Sequence, residues 1–141
     1  MPTDISKTAH SLPIRVYYED TDAGGIVYYA NYLKYFERAR TEWLRALGVS
    51  QIELANTYQQ LFVVKKTEVE YHRSAKHDDL LHIHSQLIHL GGASLVFAQQ
   101  AVLSDETLCH SQTVVVCVHK ETMRPMRLHP TIRAILEKVH I

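Results

Sequence analysis

Between residues 30 and 47, apolar residues recur every three or four positions, which is the spacing of one face of an α-helix. The apolar stripe consists of Tyr32, Phe36, Ala39, Trp43 and Leu47. The opposite face is polar and carries Lys34, Arg38, Thr41 and Arg45. Gly48 follows, where a C-cap glycine belongs. The pattern predicts an amphipathic helix from about Ala30 to Leu47.

Beyond residue 60 the apolar period changes to two, which is typical of strands. Strands are predicted at about 61–72, 81–87, 95–103 and 108–119, after a short opening strand at 14–18 and a connecting segment at 49–60. The last long strand is apolar on both faces at 114–118, so we expect it inside the sheet. Pro130 suits the start of a short helix ending near Val139. We predict an α+β fold in which the long helix lies across the concave face of a mainly antiparallel sheet.

Composition bounds the range of functions. The length of 141 residues suits one domain, at 13–141, preceded by a flexible polar tail at 1–12. Zero formal charge argues against a nucleic-acid partner, and no apolar run of about 18 residues is present to span a membrane. Cys109 and Cys117 lie on one strand, about 26 Å apart at full extension, so they are expected to be buried and free in a reducing, cytoplasmic compartment.

The segment from Tyr17 to Ala30 carries the candidate chemistry. Asp20 and Asp22 lie in a glycine-containing loop directly before the predicted helix. Free N–H groups at a helix N-terminus stabilise negative charge on an oxygen, so a carboxylate beside them suits acyl transfer to water. Asp20 is expected to hold the loop by hydrogen bonds, and Glu37 to pair with Arg40 or Thr41 on the helix flank. His82 and His84 share a strand face, but no third ligand is placed by spacing, so no metal site is predicted.

The run Tyr18-Glu-Asp-Thr-Asp-Ala-Gly-Gly-Ile-Val-Tyr-Tyr-Ala-Asn-Tyr-Leu, with Phe36-Glu-Arg-Ala-Arg-Thr-Glu-Trp-Leu-Arg, resembles the hotdog-fold thioesterases. Within them it is most similar to the Tol–Pal-associated acyl-CoA thioesterases of the 4-hydroxybenzoyl-CoA thioesterase class. Tyr71-His-Arg-Ser-Ala-Lys-His-Asp-Asp extends the resemblance more loosely. It implies a long helix wrapped by a five- or six-stranded antiparallel sheet, with dimers joined edge to edge and often tetramers.

The resemblance also implies roles for individual residues. Asp22 falls on the catalytic aspartate, acting as nucleophile or general base, and the backbone N–H of Tyr29 on the oxyanion donor. Some relatives carry a histidine at the position of Tyr29, and tyrosine cannot replace it as a base near neutral pH. The candidate substrate-binding residues are Gly25, Val27, Tyr28 and Asn31, with Arg73 and Lys76 as candidates for coenzyme A phosphates. No cofactor is expected.

Three functions stay open at this stage. Hydrolysis of acyl-CoA thioesters is favoured. A hotdog dehydratase usually relies on a catalytic histidine, and none occurs between His10 and His72. The third is a non-catalytic partner of acyl carrier protein or of membrane-associated machinery. The sequence does not distinguish coenzyme A from acyl carrier protein, nor a dimer from a dimer of dimers.

Overall fold

The computed structural model describes residues 9–141, which form one sheet with a long helix packed on it. The strands are β1 (Ala9–Arg15), β2 (Gln60–Tyr71), β3 (Leu80–Leu90), β4 (Ser94–Leu103) and β5 (Glu106–His119). The helices are α1 (Asn31–Ala46), α2 (Gln51–Tyr58) and α3 (Pro130–Glu137), and Tyr18–Asp20 forms one 3-10 turn. The strand order is β1-β3-β4-β5-β2, and every neighbouring pair is antiparallel. The predicted α+β fold is confirmed, with five strands.

Helix α1 begins and ends within one residue of its predicted bounds. Thr41 is its only β-branched residue, so side-chain sterics oppose the helix little. Gly48 takes a left-handed φ of 93°, and the Val49 N–H donates to Leu44 O at 2.8 Å, which ends the helix. The side chains buried against the sheet are Tyr32, Tyr35, Phe36, Ala39, Trp43 and Leu44. Because this face is buried along its length, the N-terminus of α1 is fixed relative to the sheet.

The sheet presents a mainly apolar face to α1, with side chains that alternate as predicted. Its buried apolar residues include Leu81, Ile83, Leu87, Leu95, Phe97 and Ala101. One polar pair interrupts them: the amide of Gln99 donates to Ser85 Oγ and to the backbone oxygen of Phe36, each at 2.9 Å. Strand β5 lies between β4 and β2, which confirms its expected interior position.

The first strand lies earlier in the chain than predicted. It covers Ala9–Arg15 rather than residues 14–18, so residues 9–12 belong to the sheet and not to a tail. Its pairing with β3 runs from Ala9 opposite Gln86 to Arg15 opposite Leu80. Such long-range backbone pairing leaves little trace in the local pattern, because polar residues also pair through their backbone. The rest of the predicted tail, residues 1–8, lies outside the described residues.

Helix α2 replaces part of the segment predicted as a connection at 49–60. Ser50 caps it, since its Oγ accepts from the Glu53 N–H at 3.3 Å. Serine followed three residues later by glutamate is a capping signature, so the sequence did hold a signal. The helix buries only Leu54, and its apolar periodicity was therefore too weak to reveal it.

A β-bulge in β2 sets which side chains face the helix. The pairing with β5 shifts between Val64 and Lys66. Beyond the shift, Tyr71 lies opposite the buried Cys109, on the inner face, whereas Glu70 lies opposite the exposed His110. The bulge thus points Tyr71 towards α1 and Glu70 away from it.

Helix α3 begins at Pro130, as predicted. The ring of His129 caps it by accepting from the Thr131 N–H at 3.2 Å. None of the helices within residues 9–141 is both long and apolar enough to cross a bilayer.

Candidate functional site

Asp20 holds the loop that precedes α1 in place through hydrogen bonds. It is buried, and its two carboxylate oxygens accept from Asn31 Nδ2 at 2.7 Å and from the Tyr17 N–H at 2.8 Å. Its backbone oxygen accepts from the Tyr28 N–H at 3.0 Å. The expected hydrogen-bonding role of Asp20 is therefore confirmed. These bonds tie both ends of the loop to the first residue of the helix.

Asp22 lies at the exposed side of the same loop. Its Oδ1 accepts from the Gly24 N–H at 2.8 Å, and its backbone oxygen accepts from the Gly25 N–H at 3.0 Å. Gly25 has a φ of 80°, a conformation that favours glycine, so its role lies in the turn. Among the described residues Asp22 Oδ2 has no hydrogen-bond partner, so one carboxylate oxygen is left to react.

Tyr29 lies two residues before the first residue of α1. Its carbonyl accepts from the Tyr71 hydroxyl at 3.1 Å, and within residues 9–141 its N–H has no acceptor. The first turn of α1 contains no acidic side chain, and the N-cap Ala30 supplies no side-chain hydrogen bond. No acidic side chain of α1 itself offsets the positive end of the helix dipole there, which suits an oxygen that gains negative charge.

A cleft of about 250 Å³ brings the loop, the start of α1 and the end of β2 together. It is lined by Asp22, Ile26, Val27, Tyr29, Tyr32, Tyr71, His72, Arg73 and Ser74. Four of the residues named from the sequence, Asp22, Val27, Tyr29 and Arg73, therefore line one cleft. The cleft therefore brings Asp22 and Tyr29 together with an aromatic wall formed by Tyr32 and Tyr71.

The other four named residues are not among those that line this cleft. Asn31 is buried and donates to Asp20, which holds the loop on the helix. Tyr28 is half-exposed, with its ring centroid 5.1 Å from that of Tyr29. Lys76 forms a bridge with Ile26 and donates its N–H to Asp79 at 2.8 Å, while Gly25 shapes the turn.

The aromatic wall keeps its hydroxyl groups protonated. Burial raises the pKa values of the Tyr32 and Tyr71 hydroxyl groups above the ordinary value for tyrosine. Tyr71 donates to the Tyr29 carbonyl, and the Tyr32 hydroxyl accepts from the Ala75 N–H at 3.0 Å. The ring centroids of Tyr32 and Tyr71 lie 5.8 Å apart. The wall is neutral, and it holds Tyr29 against the end of β2.

Polar side chains occupy the rim at the end of β2. Arg73 pairs with Glu106 at 2.6 Å, and both side chains are exposed. His72 Nε2 lies 2.9 Å from His110 Nδ1, and His110 Nε2 lies 3.4 Å from Glu70. Sequence reasoning missed His72 as a cleft residue. The alternation did place it at the polar end of a strand, but its partner on β5 depends on the strand register.

The competing sites predicted from the sequence lie elsewhere. Glu37 accepts from the Thr41 hydroxyl at 2.5 Å, which confirms its expected pairing on the flank of α1. Cys109 and Cys117 are buried and free, as predicted. In the part of the chain that the structure describes, no three His, Cys, Asp or Glu side chains converge to hold a metal ion.

The family model described as "Thioesterase superfamily" matches residues 24–110. The acyl-CoA thioesterase YbgC of Haemophilus influenzae is 43% identical over 124 residues, which cover 88% of this chain and 91% of the relative. The acyl-CoA thioester hydrolase YbgC of Escherichia coli O6:H1 is 44% identical over 131 residues, covering 92% and 97%. The crystal structure of a probable thioesterase from Bartonella henselae is 34% identical, with a TM-score of 0.82 over 86% of this chain and 99% of that one.

Proposed function

Because this chain belongs to the thioesterase superfamily, we propose that it hydrolyses acyl-CoA thioesters to a free carboxylic acid and coenzyme A. The relatives at 43% and 44% identity carry the names of acyl-CoA thioesterases, which supports coenzyme A as the thiol carrier. The observation that carries the proposal is the cleft that Asp22 shares with Tyr29, whose N–H has no acceptor within residues 9–141. A thioester needs both groups at one carbonyl.

The Tyr29 N–H polarises the thioester carbonyl. A carbonyl oxygen that gains negative charge during attack is stabilised by this donor and by the positive end of α1. Asp22 attacks the carbonyl carbon directly or deprotonates a water that does so. Either route uses its Oδ2, because Oδ1 is held by the Gly24 N–H. The thiolate is a good leaving group, so departure of the sulfur needs no strong acid.

The cleft has an apolar part for the acyl group and a polar rim for the coenzyme A phosphates. Val27, Tyr32 and Tyr71 give an apolar surface for the thioester and the start of the acyl chain. Arg73 lies at the rim of the cleft, where the coenzyme A phosphates bind. On binding, its guanidinium releases the Glu106 carboxylate and pairs with a phosphate instead. Lys76 lies beyond the cleft and contacts phosphates further out. Both cysteines are free, in keeping with a reducing, cytoplasmic location.

We also propose that the working form is a homo-oligomer, a dimer or a dimer of dimers, joined along β2. This strand is an edge of the sheet, and unpaired edges favour self-association. Its Val64 side chain is 54% exposed and lines an open apolar groove against α1. Light scattering after size exclusion should show at least a dimer, and Val64→Glu should weaken it. Ile52→Glu, at an exposed apolar residue of α2, is the matched control. A parent protein that is monomeric at assay concentration would refute this proposal.

Thiol release from a panel of acyl-CoA substrates tests the function. Asp22→Asn keeps the Oδ1 acceptor for Gly24 but removes the reactive carboxylate, so release should fall at least about 100-fold. Asp105→Asn is the control, because Asp105 is an exposed turn aspartate at a φ that asparagine also tolerates. A folded Asp22→Asn variant that turns over at the parental rate would remove Asp22 from the mechanism. Absence of thiol release by the parent would remove the function itself.

The oxyanion donor is tested by deleting the N–H of Tyr29. Tyr29→Pro lacks it, whereas Tyr29→Phe keeps it and removes only the hydroxyl. Loss of one such donor typically lowers kcat about 10²–10³-fold. We expect that loss for Tyr29→Pro and near-parental turnover for Tyr29→Phe, with both melting temperatures measured to exclude unfolding. Equal activity of the two variants would show that this N–H does not polarise the carbonyl.

A further inference from the structure

Three side chains in contact with one another lie near the end of β2 and the beginning of β5. His72 Nε2 and His110 Nδ1 are 2.9 Å apart, and the two ring centroids are separated by 4.9 Å. Glu70, directly opposite His110 in the strand pairing, places a carboxylate oxygen 3.4 Å from His110 Nε2. His72 lines the cleft that also contains Asp22. The trio thus runs from the outer face of the sheet to the candidate site.

The contacts of the trio fix which nitrogen carries a proton. Two ring nitrogens at hydrogen-bonding distance share one proton, because two N–H groups cannot bond to each other. The carboxylate of Glu70 favours a proton on His110 Nε2, which leaves His110 Nδ1 as the acceptor. His72 Nε2 is then the donor. In this arrangement the other ring nitrogen of His72, Nδ1, carries a free lone pair when the ring is neutral, and it has no hydrogen-bond partner among the described residues.

We propose that His72 is a catalytic base for the second half of the thioester hydrolysis proposed above, on which this inference rests. In the first half, an Asp22 oxygen bonds to the acyl carbon, the carbon–sulfur bond breaks, and coenzyme A leaves as the thiolate. In the second half, water attacks the acyl carbon of the resulting anhydride while His72 Nδ1 accepts its proton. The bond to Asp22 breaks, which restores the carboxylate and releases the acid. The imidazolium gives its proton through solvent to the thiolate, so one water and one thioester yield one acid and one thiol.

His110 and Glu70 act through His72 as positioning residues. They hold the ring of His72 in the tautomer and orientation that present Nδ1. A tyrosine such as Tyr29 cannot act as a base near neutral pH. Among the residues that line the described cleft, His72 is the one with an imidazole that water can reach. This division of labour assigns Asp22 the nucleophilic role of the two left open above.

Burst kinetics of thiol release test the proposal. His72→Gln retains a side-chain N–H for His110 but lacks the basic Nδ1. We expect it to release one thiol per site at the parental rate and then to slow about 100-fold, within the range that a general base contributes. The stalled protein should carry the acyl group by intact mass, and hydroxylamine should remove it. His82→Gln, at an exposed histidine of β3 that is not part of the cleft lining, should behave like the parent.

Two further variants separate catalysis from structure. In His72→Ala, added imidazole should restore the slow phase without changing the burst, because a free base can enter an open cleft. His110→Leu should slow the second phase less than His72→Gln and leave the burst and kcat/KM unchanged. Parental steady-state turnover by His72→Gln would overturn the proposal while leaving thioester hydrolysis intact. So would loss of the burst together with the steady rate. A parent that releases no thiol would overturn both the function and this inference.

Discussion

The hydrogen bond between Asn31 and Asp20 holds the loop before α1 on the helix, and Asn31→Ala removes it. Asp20 is 7% exposed and Asn31 is 8% exposed, so water does not readily replace the missing donor. Hydrogen bonds to charged groups contribute about 1.5–3 kcal/mol to stability. One of the two carboxylate contacts survives, since Tyr17 still donates its N–H. We therefore expect the free energy of unfolding to fall by about 2 kcal/mol, within that range.

The assay is urea unfolding followed by fluorescence of the single tryptophan, Trp43, which is buried on α1. Protein concentration is held constant, because self-association would add to apparent stability. For a domain of this size, about 2 kcal/mol corresponds to a drop in Tm of roughly 6–10 °C. Asn56→Ala, at an exposed asparagine of α2, is the matched control and should change stability by less than about 0.5 kcal/mol.

Asn31→Asp sharpens the same test through pH. It places a second carboxylate where the amide lies 2.7 Å from Asp20, and two carboxylates that close cannot both stay ionised at low cost. When the two carboxyl groups share a proton, a hydrogen bond forms between them again. The difference in free energy of unfolding between Asn31→Asp and the parent should therefore become smaller as the pH falls. The reasoning would be refuted if Asn31→Ala unfolded within about 0.5 kcal/mol of the parent, or if the Asn31→Asp deficit did not depend on pH.

Three further predictions concern the two cysteines, Tyr71 and Phe36. Burial raises the pKa of the Cys109 thiol to about 12 and of the Cys117 thiol to about 11, from 9.0. The folded state thus keeps protons that the unfolded chain loses, so the two thiols should not change stability below about pH 9. Above it each should lower stability by about 1.4 kcal/mol per pH unit, up to its own folded pKa, as read from urea midpoints. Tyr71→Phe removes a donor to Tyr29 and should lower stability by about 0.5–1.5 kcal/mol and lower kcat. Phe36→Ala, in the centre of the core, should lower the free energy of unfolding by about 3–5 kcal/mol.

Controls keep these predictions distinct. Cys117→Ala should reduce the alkaline slope, and an unchanged slope would assign it to other groups. Tyr58→Phe, on α2 and away from the cleft lining, should leave kcat unchanged where Tyr71→Phe lowers it. If Phe36→Ala lowered stability by less than about 1 kcal/mol, the packing of α1 on the sheet would be looser than its burial implies.

The elements predicted correctly are those whose identity is written in consecutive residues. An apolar stripe and a terminal glycine predict helix α1. Alternating apolar and polar residues between turn residues predict strands β2 to β5. The segments 9–12 and 51–58 were misassigned for different reasons. The position of strand β1 depends on its pairing with β3, which local sequence does not show. Helix α2 had a local capping signal at Ser50, but its apolar periodicity was too weak to predict a helix.

The residues of the candidate site also fall into two groups, those close together in the sequence and those brought together by strand pairing. The loop pattern predicts an acidic side chain near the N-terminus of α1, and the family resemblance names Asp22 and Tyr29, seven residues apart in the chain. His72 and His110 meet only because β2 pairs with β5 in one register. That register depends on the bulge between Val64 and Lys66.

Without the extra residue of the bulge, Glu70 would pair opposite Cys109, and every later side chain of β2 would exchange faces. Tyr71 would then turn away from Tyr29, and Glu70 would point into the core. The bulge therefore aligns both the aromatic wall of the cleft and the histidine pair at its rim. A single irregularity about six residues from the cleft thus decides whether the end of β2 presents a neutral tyrosine to the loop and an imidazole to solvent.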